Sequence, residues 1–149
     1  MKHIFRSWNE HYKMFIYFRH GRYFKYTGGK YTMSSDIDES SEFWSNKEHG
    51  SVFGRKQYFE GDIFKTFLFT ERNKEYYVYH VLKFSEEKDI YLFIRLDQYK
   101  KQNYKSGRYL FSEEFTHGEK CIGNIHQNKE LLGQKYCTIL IGRGGNLST

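Results

Sequence analysis

The sequence predicts an all-β fold, a small barrel or a pair of barrels, and three observations carry that prediction. The 149 residues contain no Ala and no Pro but 14 Tyr and 14 Phe. The best helix former is therefore missing, while side chains that suit a pleated, half-buried surface abound. Apolar residues alternate over short runs: in IYLFIRL (90–96), Ile90, Leu92, Ile94 and Leu96 fall on one face and Tyr91, Phe93 and Arg95 on the other. Turn signals separate such runs at intervals of about ten residues, the spacing of small β architectures.

Taken in order, HIFRSW (3–8), KMFIYF (13–18) and RYFKY (22–26) read as three strands, joined through NEHY and RHG at hairpin length. Residues 36–50, DIDESSEFWSNKEHG, are rich in Ser, Asp, Glu and Gly and read as a loop or linker. DIFKTFLF (62–69) and EYYVYHVLKF (75–84) flank TERNK, a five-residue hairpin signal. SEEKD then turns the chain into 90–96, whose even-numbered face is expected in the core. RYLF (108–111), KCIGNI (120–125) and YCTILI (136–141) add strands, and only NKELLGQ (128–134) has a helical look. GRGGNLST (142–149) reads as a flexible tail whose RGG is a single copy of a unit found in RNA-binding tails.

Charge narrows the partners. The chain carries 24 Lys+Arg against 18 Asp+Glu, a formal net of +6, which favours polyanions or acidic protein surfaces. The plain alternative is an AT-rich coding bias, which replaces Ala and Pro by Lys, Asn, Ile, Phe and Tyr. The charge is uneven: +6 over residues 1–35, −4 over 36–50 and +4 over the remainder. No apolar run approaches the roughly 20 residues of a membrane span. MKHIFRSWNE places charge where a signal peptide needs an apolar stretch. Cys121 and Cys137 lack CxxC spacing and read as reduced. A soluble, cytoplasmic protein is expected, with no membrane partner.

Catalytic chemistry needs a nucleophile with a base, paired carboxylates or a metal cluster. Histidines at 3, 11, 20, 49, 80, 117 and 126 form no HxH, HExxH or H-x3-H, and no P-loop, GxSxG or GxGxxG is present. His80, between Tyr79 and Val81 in a strand, reads as a satisfied structural histidine. Glu86–Glu87 and Glu113–Glu114 read as solvated turns. No catalytic residue, metal ligand or cofactor is assigned, and the expectation is a protein that is not an enzyme. An enzyme would need a pocket joining His80 or His126 to a carboxylate.

Binding is the remaining class. Cations alternate with aromatics in RHGRYFKY (19–26) and in QYKKQNYKSGRY (98–109). Lys and Arg contact phosphates while Tyr rings stack on unpaired bases. The candidate contacts are Lys100, Lys101, Tyr104, Lys105 and Arg108, with Arg19, Arg22 and Lys25 secondary. The structural alternative is a Lys-rich loop with tyrosines packed on a barrel rim. In the acidic loop, Phe43 and Trp44 amid carboxylates either mimic nucleic acid or sit in a solvated insert.

Three segments together resemble the YopX family of small phage and prophage proteins. IFRSWNEHYKMF is similar to the family's opening pattern, GRKQYFEGDIF (54–64) to its central EGDI motif and CIGNIHQNKELL to its closing IGNI…ELL motif. Order and rough spacing agree over about residues 2–132. Lys129 stands where the family has a Pro, and YCTILIGRGGNLST continues past the family's usual end. The resemblance implies two small β subdomains, the second an SH3-like barrel, with one short C-terminal helix. The expected boundaries are 1–58, with the acidic loop 36–50, and 59–149, with a flexible tail from about 142. Glu60, Gly61 and Asp62 would start the barrel, Gly123 would allow a bulge, and Leu131 with Leu132 would plug the barrel end as a latch.

The resemblance carries no established activity. With the basic, Tyr-rich loops it leads to the expectation of a non-enzymatic phage or prophage accessory protein without small-molecule cofactor. Its partner would be nucleic acid or a host nucleoprotein, such as a defence complex that it inhibits in the manner of an anti-CRISPR protein. The alternative from another class is a structural or assembly protein that self-associates through barrel edges as a homo-oligomer.

Overall fold

Runs of aromatic and β-branched residues punctuated by turn formers fold as antiparallel strands throughout. The computed structural model describes them over residues 4–19, 22–27, 30–33, 45–110, 119–133 and 140–141. The chain divides into two compact units, Met1–Phe59 and Glu60–Thr149. It is all-β, with two sheets, the second curled into a half-barrel, and one short α-helix.

The first unit is one antiparallel sheet of β1 (Ile4–Asn9), β2 (Met14–Arg19), β3 (Arg22–Thr27), β4 (Lys30–Met33), β5 (Glu48–Phe53) and β6 (Lys56–Phe59), in the order β4-β3-β2-β1-β5-β6. Register sorts its side chains. Phe5 and Phe18 are cross-strand partners on one face, with rings 5.5 Å apart. On the other face lies Arg6, only 4 % exposed. Its guanidinium sits 4.1 Å from the Phe15 ring and 4.9 Å from the Phe59 ring. Its Nε donates to Glu48 Oε1 at 3.0 Å. Gly50 makes room for Phe59, since a Cβ there would run into the ring.

Three of these strands correct the sequence reading. Residues 48–50, assigned to the acidic loop, begin β5, while β6 and β4 carried no strand assignment. The inward residues of β5 include His49 and Ser51, both buried, so no apolar alternation announces it. Residues 36–44, including Phe43 and Trp44, lie outside the described residues, as do Cys137, Glu113, Glu114 and the tail 142–149.

The second sheet runs β10-β9-β8-β7-β11, from β7 (Asp62–Glu71), β8 (Lys74–Ser85), β9 (Ile90–Arg95), β10 (Arg108–Leu110) and β11 (Lys120–Asn124); β12 (Leu140–Ile141) also pairs with β8. The expected five-residue β7–β8 hairpin is tighter. Pairing continues to Glu71↔Lys74, and Arg72 and Asn73 take φ of 52° and 62° in a two-residue turn. The strand expected over 90–96 ends one residue early, and α1 (Leu96–Lys100) follows, with Asp97 in its first turn and Lys100 in its last. The even-face expectation for β9 is half the answer. Leu92 and Ile94 are buried, and so are Tyr91 and Phe93, while Arg95 is exposed.

Both faces of this sheet are covered, which explains that result. On one face Ile63, Tyr79, Val81, Leu96 and Leu131 form a core, with Tyr99, Ile122, Ile125 and Leu132 packed against it. On the other, curling brings Phe64 of β7 within 5.0 Å of Phe93 of β9, although β8 lies between their strands.

The segment after β11 closes the first of those faces. β11 bulges between Cys121 and Gly123, and a Cβ on Gly123 would strike the Asn128 carboxamide. Asn128 Oδ1 accepts the Asn124 amide at 3.1 Å, and Asn124 Oδ1 accepts the amides of His126 and Gln127 at 3.0 and 2.8 Å. The Ile125 amide donates to Gly61 O at 2.9 Å, while the Gly61 amide donates to Leu82 O at 2.9 Å. Gly61 has φ 88°, and Glu60 Oε2 accepts the Phe84 amide at 3.1 Å. The helical look of 128–134 resolves as a single 3-10 turn, Lys129–Leu132.

Candidate functional site

Two surfaces of the second unit carry chemistry, and they lie on opposite faces of its sheet. The first grows from register. Lys83 and Tyr109 both flank Leu92, so the three form a row across β8, β9 and β10. The chain between α1 and β10 lies against this row because Gly107 lacks a Cβ, which would otherwise meet Leu92. The connection is held by its own bonds. The Gln102 amide donates to Tyr99 O at 3.0 Å, the Asn103 amide to Gln98 O at 2.9 Å and the Gly107 amide to Tyr104 O at 3.2 Å. Asn103 Nδ2 adds a bond to Gln98 Oε1 at 2.9 Å.

This frame displays cations and rings together. Lys100, Lys101, Tyr104 and Lys105 are all exposed. The Tyr104 ring lies 5.8 Å from that of Tyr99, and Lys83 Nζ sits 4.4 Å over it. Lys88 Nζ donates to Tyr109 Oη at 2.8 Å, and that hydroxyl holds the ammonium above its ordinary value. Of the five primary candidates from the sequence, four therefore lie exposed at the end of α1 and on the connection that follows it. Arg108 lies on β10 and faces away from the row, because it precedes Tyr109 by one residue and strands alternate their faces. Arg19, Arg22 and Lys25 belong to β2 and β3 of the other unit, where Arg19 and Arg22 are cross-strand partners.

Arg108 instead lines a groove of about 540 Å³ with Thr66, Phe67, Leu68, Val78, His80 and Arg95. Sequence spacing does not reveal this site. His80 and Arg95 meet only through the β8–β9 register, and Arg108 joins them through Phe93, its partner on β9. Arg108 Nη2 lies 3.3 Å from Glu119 Oε1, whose side chain is buried. Arg95 donates through Nε and Nη2 to the two carboxylate oxygens of Asp97 at 3.0 and 2.9 Å. His80 Nδ1 is 3.3 Å from Thr66 Oγ1, and its ring is 5.6 Å from that of Phe93.

Burial first, then the positive charges of Arg108 and Arg95, lower the His80 pKa from 6.5 to about 4, against weaker opposition from Glu119 and Asp97. The imidazole is therefore neutral at pH 7. The unfolded chain takes up its proton near 6.5 and the folded one near 4, so stability is full above pH 6.5 and falls as the pH drops toward 4. The difference corresponds to roughly 3 kcal/mol. His80→Gln is expected to flatten this part of the pH profile in chemical unfolding followed by circular dichroism. A profile between pH 4 and 7 as steep as that of the parent would contradict the assignment.

Among the described residues, no cluster of three or more His, Cys, Asp or Glu is arranged to hold a metal ion. No described helix is long and apolar enough to cross a membrane. Neither family models, nor curated proteins, nor solved structures show a match to this chain.

Proposed function

We propose that the protein is a non-enzymatic binding protein that engages nucleic acid, free or within a host nucleoprotein, through the α1–β10 connection. One observation carries the reading. Lys100, Lys101 and Lys105 flank the exposed Tyr104 on a loop whose backbone is fixed by its own hydrogen bonds. Cations spaced around aromatic rings suit a single strand, whose phosphates meet the lysines while its bases stack. Arg19, Arg22 and Lys25 enter the proposal as a second set of cations. The motifs similar to those of the YopX family support extending the proposal to a phage or prophage accessory protein that acts on a host defence complex.

Fluorescence anisotropy with a labelled single-stranded oligonucleotide tests the surface. Tyr104→Ala is expected to weaken binding by roughly tenfold, the worth of one stacked base. Replacing Lys100, Lys101 and Lys105 together by Ala is expected to cost more. Arg95→Gln, on the opposite face, is expected to leave binding unchanged. Affinity unaltered by the lysine replacements would refute the proposal. A tagged pull-down from host lysate, with and without nuclease, separates a protein partner from one bridged by nucleic acid.

A second reading, self-association, rests on β7. Among the described residues its pairing with β11 ends at Lys65, and Phe67, Leu68 and Phe69 beyond that point are each more than 40 % exposed. An apolar strand edge of this kind is a template for pairing. Sedimentation that shifts with concentration, and a Leu68→Lys variant that does not shift, would favour this reading over the first.

A further inference from the structure

The groove around His80 belongs neither to the basic loop nor to the latch, and its composition is that of a ligand site: apolar walls with a few convergent polar groups. We infer that the groove lined by Phe67, Leu68, Val78, Thr66, Arg95 and Arg108 binds a small amphipathic organic anion, its apolar body on the β7–β8 side and its acidic group between the two guanidiniums. This inference does not rest on the nucleic-acid reading, since the groove opens on the other face of the sheet.

Three features support it. The two arginines come from adjacent strands and converge on one space. Each is oriented by its own carboxylate, Arg95 by Asp97 and Arg108 by Glu119. A guanidinium fork has more N–H donors than these contacts use, so both arginines retain donors for a bidentate anion. Both side chains are about half exposed, which keeps those donors reachable. The field at His80 is also of the right sign. There the influence of Arg108 and Arg95 exceeds that of Glu119 and Asp97, so the imidazole itself sits closer to the cations than to the acids in effect. The neutral imidazole and the Thr66 hydroxyl add polar groups without adding charge. Leu68, a large and exposed apolar side chain, and Val78 supply the apolar part of the lining beside them. An inorganic anion would leave that part uncovered, whereas an aromatic or aliphatic acid covers both. The volume suits a ligand of that size.

The test uses the full chain and two dyes of nearly the same shape, 1-anilinonaphthalene-8-sulfonate and the uncharged N-phenyl-1-naphthylamine, each followed by fluorescence titration. The expected result is saturable binding of the sulfonate at one site, at least about tenfold tighter than the uncharged dye, the scale of one charge-assisted hydrogen-bond pair. Arg95→Gln should erase that preference. Arg108→Lys keeps a cation beside Glu119 but loses the planar fork, and should weaken the sulfonate several-fold with an unchanged circular dichroism spectrum. Equal affinity for the two dyes, no saturable binding of the sulfonate, or a preference that survives Arg95→Gln would each overturn the inference.

Discussion

Arg6→Ala is expected to lower the stability of the first unit by about 3–5 kcal/mol. The argument begins with burial. Arg6 is almost wholly enclosed, stacked between Phe15 and Phe59, and ion-paired to Glu48, whose side chain is 15 % exposed. Truncation would leave a cavity between two rings and a largely buried carboxylate without its guanidinium. Two controls separate these terms. Glu48→Gln keeps the shape and removes the charge, so it should cost less than Arg6→Ala. Arg6→Met with Glu48→Leu replaces the pair by apolar groups and should recover much of the loss, because a desolvated ion pair gains little over good packing. Both tryptophans, Trp8 and Trp44, lie within Met1–Phe59, so Trp fluorescence reports this unit alone during urea unfolding. A midpoint for Arg6→Ala that matches the parent chain would contradict the account.

Leu131→Ala is expected to destabilise the second unit by about 2–4 kcal/mol, the usual cost of a buried Leu-to-Ala cavity. Among the described residues after β11, Leu131 is the one counted in the buried cluster of Ile63, Tyr79, Val81 and Leu96, with Ile125 and Leu132 packed against it. It is placed there by a chain of bonds: Asn128 O accepts the Leu131 amide at 2.9 Å, and Asn128 itself is locked to Asn124. Gly123→Ala attacks the same latch from the backbone side, since its Cβ would displace Asn128. The two variants should therefore resemble each other. Hydrogen exchange offers the sharpest readout, because the Ile125 amide ties the segment to Gly61 just before β7, and the Gly61 amide ties that residue on to Leu82 of β8. Accelerated exchange at both amides in both variants is the expected outcome. Exchange unchanged in Gly123→Ala would show that the bulge does not need glycine.

How much of this was legible in the sequence follows from where each element keeps its information. The long strands announced themselves, because β7, β8 and β9 carry aromatic and branched residues at strand spacing. The latch was legible in outline for a different reason. The resemblance implied a close approach at Gly123 and a plug at Leu131 and Leu132; Gly123 abuts Asn128, Leu131 is buried in the core and Leu132 packs against it. β5 was hidden because its inward side chains include His49 and Ser51 and its Gly50 serves the Phe59 ring, none of which looks like a strand. Arg6 was hidden for a related reason: a charged residue in a strand reads as outward-facing, and only its cross-strand neighbours Tyr17 and Glu48 show otherwise. The groove was the least legible feature. Thr66, His80, Arg95 and Arg108 are scattered over four strands, and register alone assembles them. The basic loop lay between these extremes. Its composition marked Lys100, Lys101, Tyr104 and Lys105 as a set, but strand alternation, which turns Arg108 to the other face, separated the fifth member.

The central claim is that the α1–β10 surface binds a polyanionic strand through its phosphates. Its most direct test is the affinity of the intact protein for a labelled single-stranded oligonucleotide, measured across a series of salt concentrations. If Lys100, Lys101 and Lys105 each neutralise a phosphate, the logarithm of the association constant should fall with the logarithm of salt at a slope of roughly −2, from about −0.7 per phosphate. The triple Ala variant should lose most of that slope. Binding that is insensitive to salt, or a slope identical in the triple variant, would contradict the account.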